Sequence, residues 1–331
     1  MTAIGVFQSW GLGDLVMTVP VLAELRRLHP HARIVLVVRG TPQGELLRGS
    51  QLVDEILQVP RRAKDLRQIG FYLKLRRRRL DAVFLGTRVS PMVAFMLRFV
   101  AGVRTIVGDA SRWPSLYTVR NAVVPGVHRV DRMLRTLAMW TGHAVETPDF
   151  SLPRNADARR AAARRLTADG FRADRYLAFH PGSSRGRGDE KRMPADLVRA
   201  TLVELRRRHP DLGVVLLFGP AEADLLPRLE PLPDRVVSLI EAPLAETMAV
   251  LAGAVGFIGS DSGLGHVAAA LGVPTVTPAG PSNPVETRPW GDRARVVVSR
   301  EDLSCRPCWF PPLHGACPHA APCMTAITAE Q

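Results

Sequence analysis

FIGSDSGLGHVAAALGVPTVTPAGPSNP, residues 257–284, runs from a short apolar segment (Ala254, Val255, Phe257, Ile258) into the turn Gly259-Ser260-Asp261-Ser262-Gly263. A small-residue helical pattern follows over 264–271, and Gly272-Val273-Pro274 leads into a second apolar run, Thr275-Val276-Thr277. Strand, glycine-rich turn, helix and strand in that order make one βαβ unit. A helix opening on Asp-Ser-Gly presents unpaired backbone N–H groups and the positive end of its dipole to whatever lies above it. A phosphate suits that place. Asp261 as a plain helix cap, with the glycines merely turning the chain, accounts for the same residues. The segment alone leaves both readings open.

Outward from it the same alternation continues. Toward the N-terminus come a helix at 244–251, a strand at 236–239, and a strand at 213–218 that ends at Gly219-Pro220 before a short helix containing Glu222. Before these lie a helix at about 194–209 with Pro194 as its first residue, the loop 180–193, a strand at 176–179 and an Ala/Arg-rich helix at 156–168. Pro148 and Pro153 break the pattern, which places a linker at 147–153 and a domain boundary between 150 and 151. The first half alternates likewise. Strands are expected at 3–7, 34–38, 55–59, 82–85 and 105–107, with a basic helix at 63–80 and a helix at 129–141. The first helix carries Val16, Val19, Leu22, Leu25 and Leu28 on one stripe, and Pro20 within it predicts a kink or a late start. The fold class is therefore α/β, with two Rossmann-like domains. Ligands are expected at the carboxyl ends of both parallel sheets, in a cleft between them.

A chain of 331 residues suits two domains, and 46% hydrophobic with 23% charged residues is a globular composition. No apolar run reaches the length of a membrane span, and the opening Met1-Thr2-Ala3-Ile4-Gly5 has no basic segment ahead of a long apolar one. A cytoplasmic protein is expected. The net charge of +13 is carried by arginine, as in the runs 76–79 and 206–208. That excess favours acidic partners, although a GC-rich genome writes arginine on solvated helix ends too. A nucleic-acid-binding protein on a nucleotide-binding fold is the alternative from another class. No RRM, KH, zinc-finger or helix-turn-helix pattern supports it, and the 6% of aromatic residues are not interleaved with the basic ones.

Several residues are placed for chemistry. Asp14 ends the turn after the first strand, where a carboxylate serves either as a general base or as a helix cap. Gly11 and Gly13 flank it as an acceptor-side loop, but Gly11-Leu12-Gly13 lacks the third glycine of a dinucleotide fingerprint, and no P-loop sequence occurs. Ser183 and Ser184 follow a strand directly and Lys191 comes shortly after, an arrangement suited to a leaving diphosphate. Glu222, just past a strand, is where a carboxylate would meet a ribose; a surface glutamate is the plainer account. His266, two residues beyond Leu264, either binds phosphate or ties the helix to its loop.

These motifs together resemble the ADP-heptose:lipopolysaccharide heptosyltransferases, glycosyltransferase family 9, which have the GT-B fold. The opening GLGDLVMTVPVLAELRRLHPHARIVLVV is similar to the family's N-terminal mark, with Asp14 on its catalytic aspartate. HPGSSRGRGDEKRMP looks like its phosphate-contacting loop, with Lys191 on the lysine. FIGSDSGLGHVAAALGVPTV looks like its donor motif, with Asp261, Ser262, Gly263, Leu264 and His266 on donor-binding positions, and GPSNP is similar to the loop beyond. Met193 stands where an aromatic residue is usual, Ser262 where threonine is commoner, and Gly265 where a larger residue is usual. The resemblance implies an N-terminal acceptor-binding domain over 1–150 and a nucleotide-sugar-binding domain over 151–331. It implies inverting transfer of heptose from ADP-heptose to an acceptor hydroxyl, with no cofactor required for catalysis. Asp14 would deprotonate the acceptor while Lys191 and the helix start at 261–264 neutralise the departing diphosphate. An acidic glycan or lipid of the lipopolysaccharide core, met at the cytoplasmic face of the inner membrane, is the expected acceptor. A protein acceptor, as for autotransporter-type heptosyltransferases, or a small secondary metabolite is the alternative.

All four cysteines, Cys305, Cys308, Cys317 and Cys323, fall in a tail spanning 303–325. Such clustering argues against a disulfide framework, and four thiolates at this spacing can form a tetrahedral zinc or iron site. His314 and His319 are substitutes for one ligand, and reduced thiols packing a short tail are the alternative. Cysteine-bearing tails also occur in the resembled family, and some of its protein-directed members carry an iron-binding finger of this kind.

Overall fold

Ile34-Val35-Leu36-Val37-Val38 has no polar face because the strand it forms is covered on both sides, as a central parallel strand must be. The computed structural model describes residues 1–331 except 61–65, 88, 110–112, 122–123, 146–151, 172–174, 185–187, 223 and 310–316. Contacts divide the chain into two units, Met1–Pro153 and Arg154–Gln331. Most of the expected 147–153 linker lies outside the described residues, as does His314.

In the first unit the order is β1 (Ala3–Gln8), α1 (Leu12–Leu28), β2 (Arg33–Val38), α2 (Thr41–Leu46), β3 (Glu55–Gln58) and α3 (Leu66–Arg76). It continues with β4 (Ala82–Leu85), α4 (Pro91–Phe95) running into a π-helical segment (Met96–Val100), β5 (Thr105–Asp109), β6 (Val119–Asn121) and α5 (Arg129–Thr141). The six strands pair in parallel in the order β3-β2-β1-β4-β5-β6. Of the kink or late start expected from Pro20, the late start does not occur: α1 starts at Leu12 and runs to Leu28 with Pro20 buried inside it. Burial outweighs the one hydrogen bond that a proline removes. Gly142 closes α5 at φ +71°, the left-handed value that glycine adopts without steric cost.

The second unit holds α6 (Ala156–Ala168), β7 (Tyr176–His180), α7 (Ala195–Arg208), β8 (Gly213–Phe218), α8 (Leu226–Leu229), β9 (Val236–Ile240) and α9 (Leu244–Gly253). Then come β10 (Gly256–Gly259), α10 (Gly263–Ala270), β11 (Thr275–Pro278), α11 (Pro284–Thr287), β12 (Ala294–Val297) and α12 (Pro322–Thr325). Its sheet is again six-stranded and parallel, in the order β12-β11-β10-β7-β8-β9. Its core joins Phe179, Val198, Leu202 and Leu216 to Cys323, Met324 and Ile327, so the cysteine tail is built into the domain. The two parallel α/β sheets are those of a GT-B fold, as expected.

Candidate active site

In open parallel sheets, ligands gather where neighbouring strands send their connections to opposite sides. In the second unit that point lies between β7 and β10, which pair side by side although α7, β8, β9 and α9 separate them in the chain. The loops leaving these strands hold the residues that the sequence singled out. Ser260, fully buried, ties them together: its Oγ donates to the carbonyl of Pro181 (2.6 Å) and accepts from the backbone N–H of Met193 (3.1 Å). Met193 is itself a core residue.

Across this junction the Lys191 Nζ donates to Asp261 Oδ2 at 2.9 Å, and both side chains are largely buried. Burial alone would push the Asp261 carboxyl up, but the charge and hydrogen bond of Lys191 hold it below the usual carboxylate range. Asp261 is therefore not the plain helix cap that the sequence allowed: Ser262 holds the cap position of α10, and the Asp261 carboxylate is engaged by Lys191. Ser262 is the residue preceding α10, yet its Oγ makes no capping bond and is buried without a hydrogen-bond partner among the described residues. A hydroxyl so placed beside the N–H groups of Gly263 and Leu264 is suited to an acceptor oxygen from a ligand. His266 is buried on α10, close enough to Asp261 to favour its ionised form.

Glu222 is buried beneath the same loops and is not a surface glutamate. It ends a short helix of 3-10 type (Pro220–Glu222), in the place expected, and its Oε2 accepts from the Gly219 N–H at 2.8 Å. A Cβ on Gly182 would fall inside the Glu222 side chain, so glycine is needed for the β7 loop to lie against that carboxylate. Beside it, burial pushes the His180 pKa down, and Nδ1 donates to the Leu217 carbonyl at 2.9 Å. Ser183 is buried and Ser184 exposed on the loop that begins there; residues 185–187 lie outside the described part.

In the first unit Asp14 is the third residue of α1, with Gly11 preceding the helix and Gly13 in its first turn. Its Oδ2 accepts from the Gly11 N–H at 3.1 Å, so the capping role is present. Its Oδ1 pairs with the Arg129 guanidinium, which also lies over the Trp10 ring at 5.7 Å from the centroid. Arg129 and Trp10 were not singled out in the sequence; one lies 115 residues from Asp14, beyond any local pattern.

The tail adds a further partner that sequence reasoning missed. The Lys191 ammonium sits 4.2 Å from the centroid of the Trp309 ring. The Pro281 carbonyl accepts from the N–H groups of Cys308 and Trp309, each at 3.0 Å, and Glu190 Oε1 accepts from the Cys317 N–H at 3.0 Å. Burial pushes the Cys323 thiol up to about 11 and raises that of Cys308, to which Cys305 and Cys317 add. Four thiols are, by their chemistry, a suitable donor set for zinc or iron. Among the described residues, however, no three His, Cys, Asp or Glu side chains are gathered to hold a metal ion. No described helix is long and apolar enough to cross a membrane.

Residues 71–310, more than half of the chain, match the family model described as glycosyltransferase family 9 (heptosyltransferase). A lipopolysaccharide heptosyltransferase 1 of Pseudomonas aeruginosa is 29% identical over 314 residues, covering 90% of this chain and 83% of that protein. Among solved structures, a glycosyl transferase family 9 protein of Veillonella parvula superposes with a TM-score of 0.83 at 20% identity, over 100% of this chain and 94% of the other. The heptosyltransferase WaaC of E. coli superposes with a TM-score of 0.72 at 21% identity, over 99% and 97%.

Proposed function

Since the chain belongs to glycosyltransferase family 9, the heptosyltransferases, we propose that it transfers a heptose from ADP-heptose to an acceptor hydroxyl of the lipopolysaccharide core, in the cytoplasm. The name of the Pseudomonas relative supports the pathway, and WaaC was solved with ADP and with ADP-2-deoxy-2-fluoro heptose. One observation carries the donor assignment: a buried lysine–aspartate pair at the start of α10, beside a hydroxyl with no hydrogen-bond partner among the described residues. In this reading the α10 N–H groups, Ser262 and Lys191 bind the diphosphate, with Ser183 and Ser184 beside it. Asp261 and His266 hold that constellation, and Glu222 faces the nucleoside. The acceptor oxygen attacks the anomeric carbon as the bond to ADP breaks, which inverts the configuration. Its proton passes to Asp14, and the charge gathering on ADP is met by Lys191 and the helix terminus. No metal takes part in this scheme. The acceptor-binding role falls to the first unit and the nucleotide-sugar role to the second.

The four tail cysteines enter as a separate proposal, a structural zinc or iron site supported by their spacing in the sequence. Elemental analysis is expected to find about one metal per chain, lost when all four are changed to serine; a metal-free wild type overturns it. For the reaction, the decisive experiment is mass spectrometry of products from a panel of nucleotide sugars and acceptors. Heptosylated acceptor from ADP-heptose is the expected result. Turnover confined to another sugar nucleotide, or a thermal shift given by an oligonucleotide and not by ADP, overturns it.

A further inference from the structure

The helices α3 and α4 cover the same face of the first sheet, and α3 packs against the π-helical segment that continues α4. Inward, Tyr72, Leu75, Ala94 and Leu97 fill the core. Outward, the same elements expose Ile69, Leu73, Met92, Phe95 and Phe99, with Phe99 at 60% and Met92 at 55% of their full areas. Phe95 and Phe99 lie together, ring centroids 4.8 Å apart. Large apolar side chains on both faces of a surface helix mean that the outer face has its own partner.

Charge tells which partner. Neither 66–79 nor 91–104 contains an aspartate or glutamate, while Lys74, Arg76, Arg77 and Arg79 stand exposed at the end of α3. The other arginine run shows the contrast: Arg207 and Arg208 at the end of α7 are both paired with Glu204. In the 76–79 run Arg78 pairs with Glu55, and among the described residues no ion pair engages its neighbours. An apolar patch bordered by exposed cations matches the interface of an anionic bilayer, where rings and aliphatic chains enter the acyl boundary and cations stay among the headgroups. A second copy of the same patch would set like charges face to face, and nucleic acid would leave the apolar side chains exposed.

We propose that the outer face of α3 and of α4 with its π-helical continuation docks on an anionic lipid bilayer. The test reads binding to lipid and not transfer, so its outcome does not depend on the transferase reading. The full chain is floated with vesicles of phosphatidylcholine alone or with roughly 30% phosphatidylglycerol, an anionic lipid. Recovery with the anionic vesicles should be at least about tenfold higher. The Phe95→Ser/Phe99→Ser variant and the Lys74→Glu/Arg76→Glu variant should each lower that recovery about tenfold or more, with the wild-type thermal transition, because these side chains point outward. High salt should reproduce the charge variant and leave part of the binding. Equal recovery on both vesicle types, unchanged recovery of the variants, or a phenylalanine variant that alters only concentration-dependent self-association overturns the proposal.

Discussion

Asp14 carries two roles at one carboxylate. One oxygen caps α1 through the Gly11 N–H and the other pairs with Arg129. Asparagine keeps an oxygen for the cap and loses the charge, which separates the roles. Asp14→Asn is expected to leave ADP affinity in place and change stability by about 1 kcal/mol or less, since the ion pair is partly exposed. Turnover should fall roughly 10²–10⁴-fold, the usual worth of a general base. Single-turnover kinetics beside calorimetric ADP titration checks it, and wild-type turnover would reduce Asp14 to a cap. Lys191→Ala removes the partner of a buried carboxylate. The Lys191–Asp261 contribution to stability, with the Asp261 pKa lowered in the folded state, is present above the ordinary carboxylate value and lost as pH falls through the lowered one. Without Lys191, burial pushes that carboxyl up instead, and the variant should lose about 3 kcal/mol at neutral pH. Its deficit should shrink as pH falls through the raised value, while ADP binding stays weak throughout. Thermal melts at several pH values test this; a pH-independent deficit would mean that Asp261 is not the group left unpaired.

At the scale of elements, the tail acts as a brace for the lysine. Trp309 lies against the ammonium of Lys191, and Glu190, one residue before it, holds the Cys317 N–H. Trp309→Ala should raise the donor KM severalfold more than it lowers kcat, because a loosened lysine pays its ordering cost on binding. Trp309→Phe keeps a ring face and should restore most of the effect. A Trp309→Ala enzyme with wild-type donor KM would show that the ring merely covers the loop. None of this could be read from sequence, since Lys191 and Trp309 belong to separate local patterns. By contrast β10, α10 and β11 were legible almost residue for residue, because glycine and proline punctuate both ends of a short small-residue helix. The edge strands β6 and β12 were not. Val119-Arg120-Asn121 offers three residues without alternation or an apolar run, and pairing with β5 alone makes it a strand. Glu222 could be placed after β8, but its burial against Gly182 is a tertiary fact.

On the scale of the whole molecule, the units Met1–Pro153 and Arg154–Gln331 each hold a complete parallel sheet and a core of their own. The proposed chemistry divides between them, with the base on one and the diphosphate cradle on the other. A fragment comprising residues 154–331 should therefore melt cooperatively and bind ADP while showing no transfer. The C-terminal boundary of that fragment matters more than its distance from the sheet suggests. Met324 and Ile327 are buried at 1% and 6% exposure among Phe179, Val198 and Leu216, and Cys323 lies with them. Each such side chain contributes about 1.5–3 kcal/mol by burial, and two or three together approach the roughly 5–15 kcal/mol that stabilises a domain. Residues 154–302 alone should lose the cooperative transition and with it ADP binding, because the same tail covers the core and braces Lys191. Calorimetry of the two fragments, with and without ADP, decides it. A cooperative, ADP-binding 154–302 fragment would make the tail an appendage; its failure beside an intact 154–331 would make the cysteine segment part of the donor domain's fold, whatever it binds.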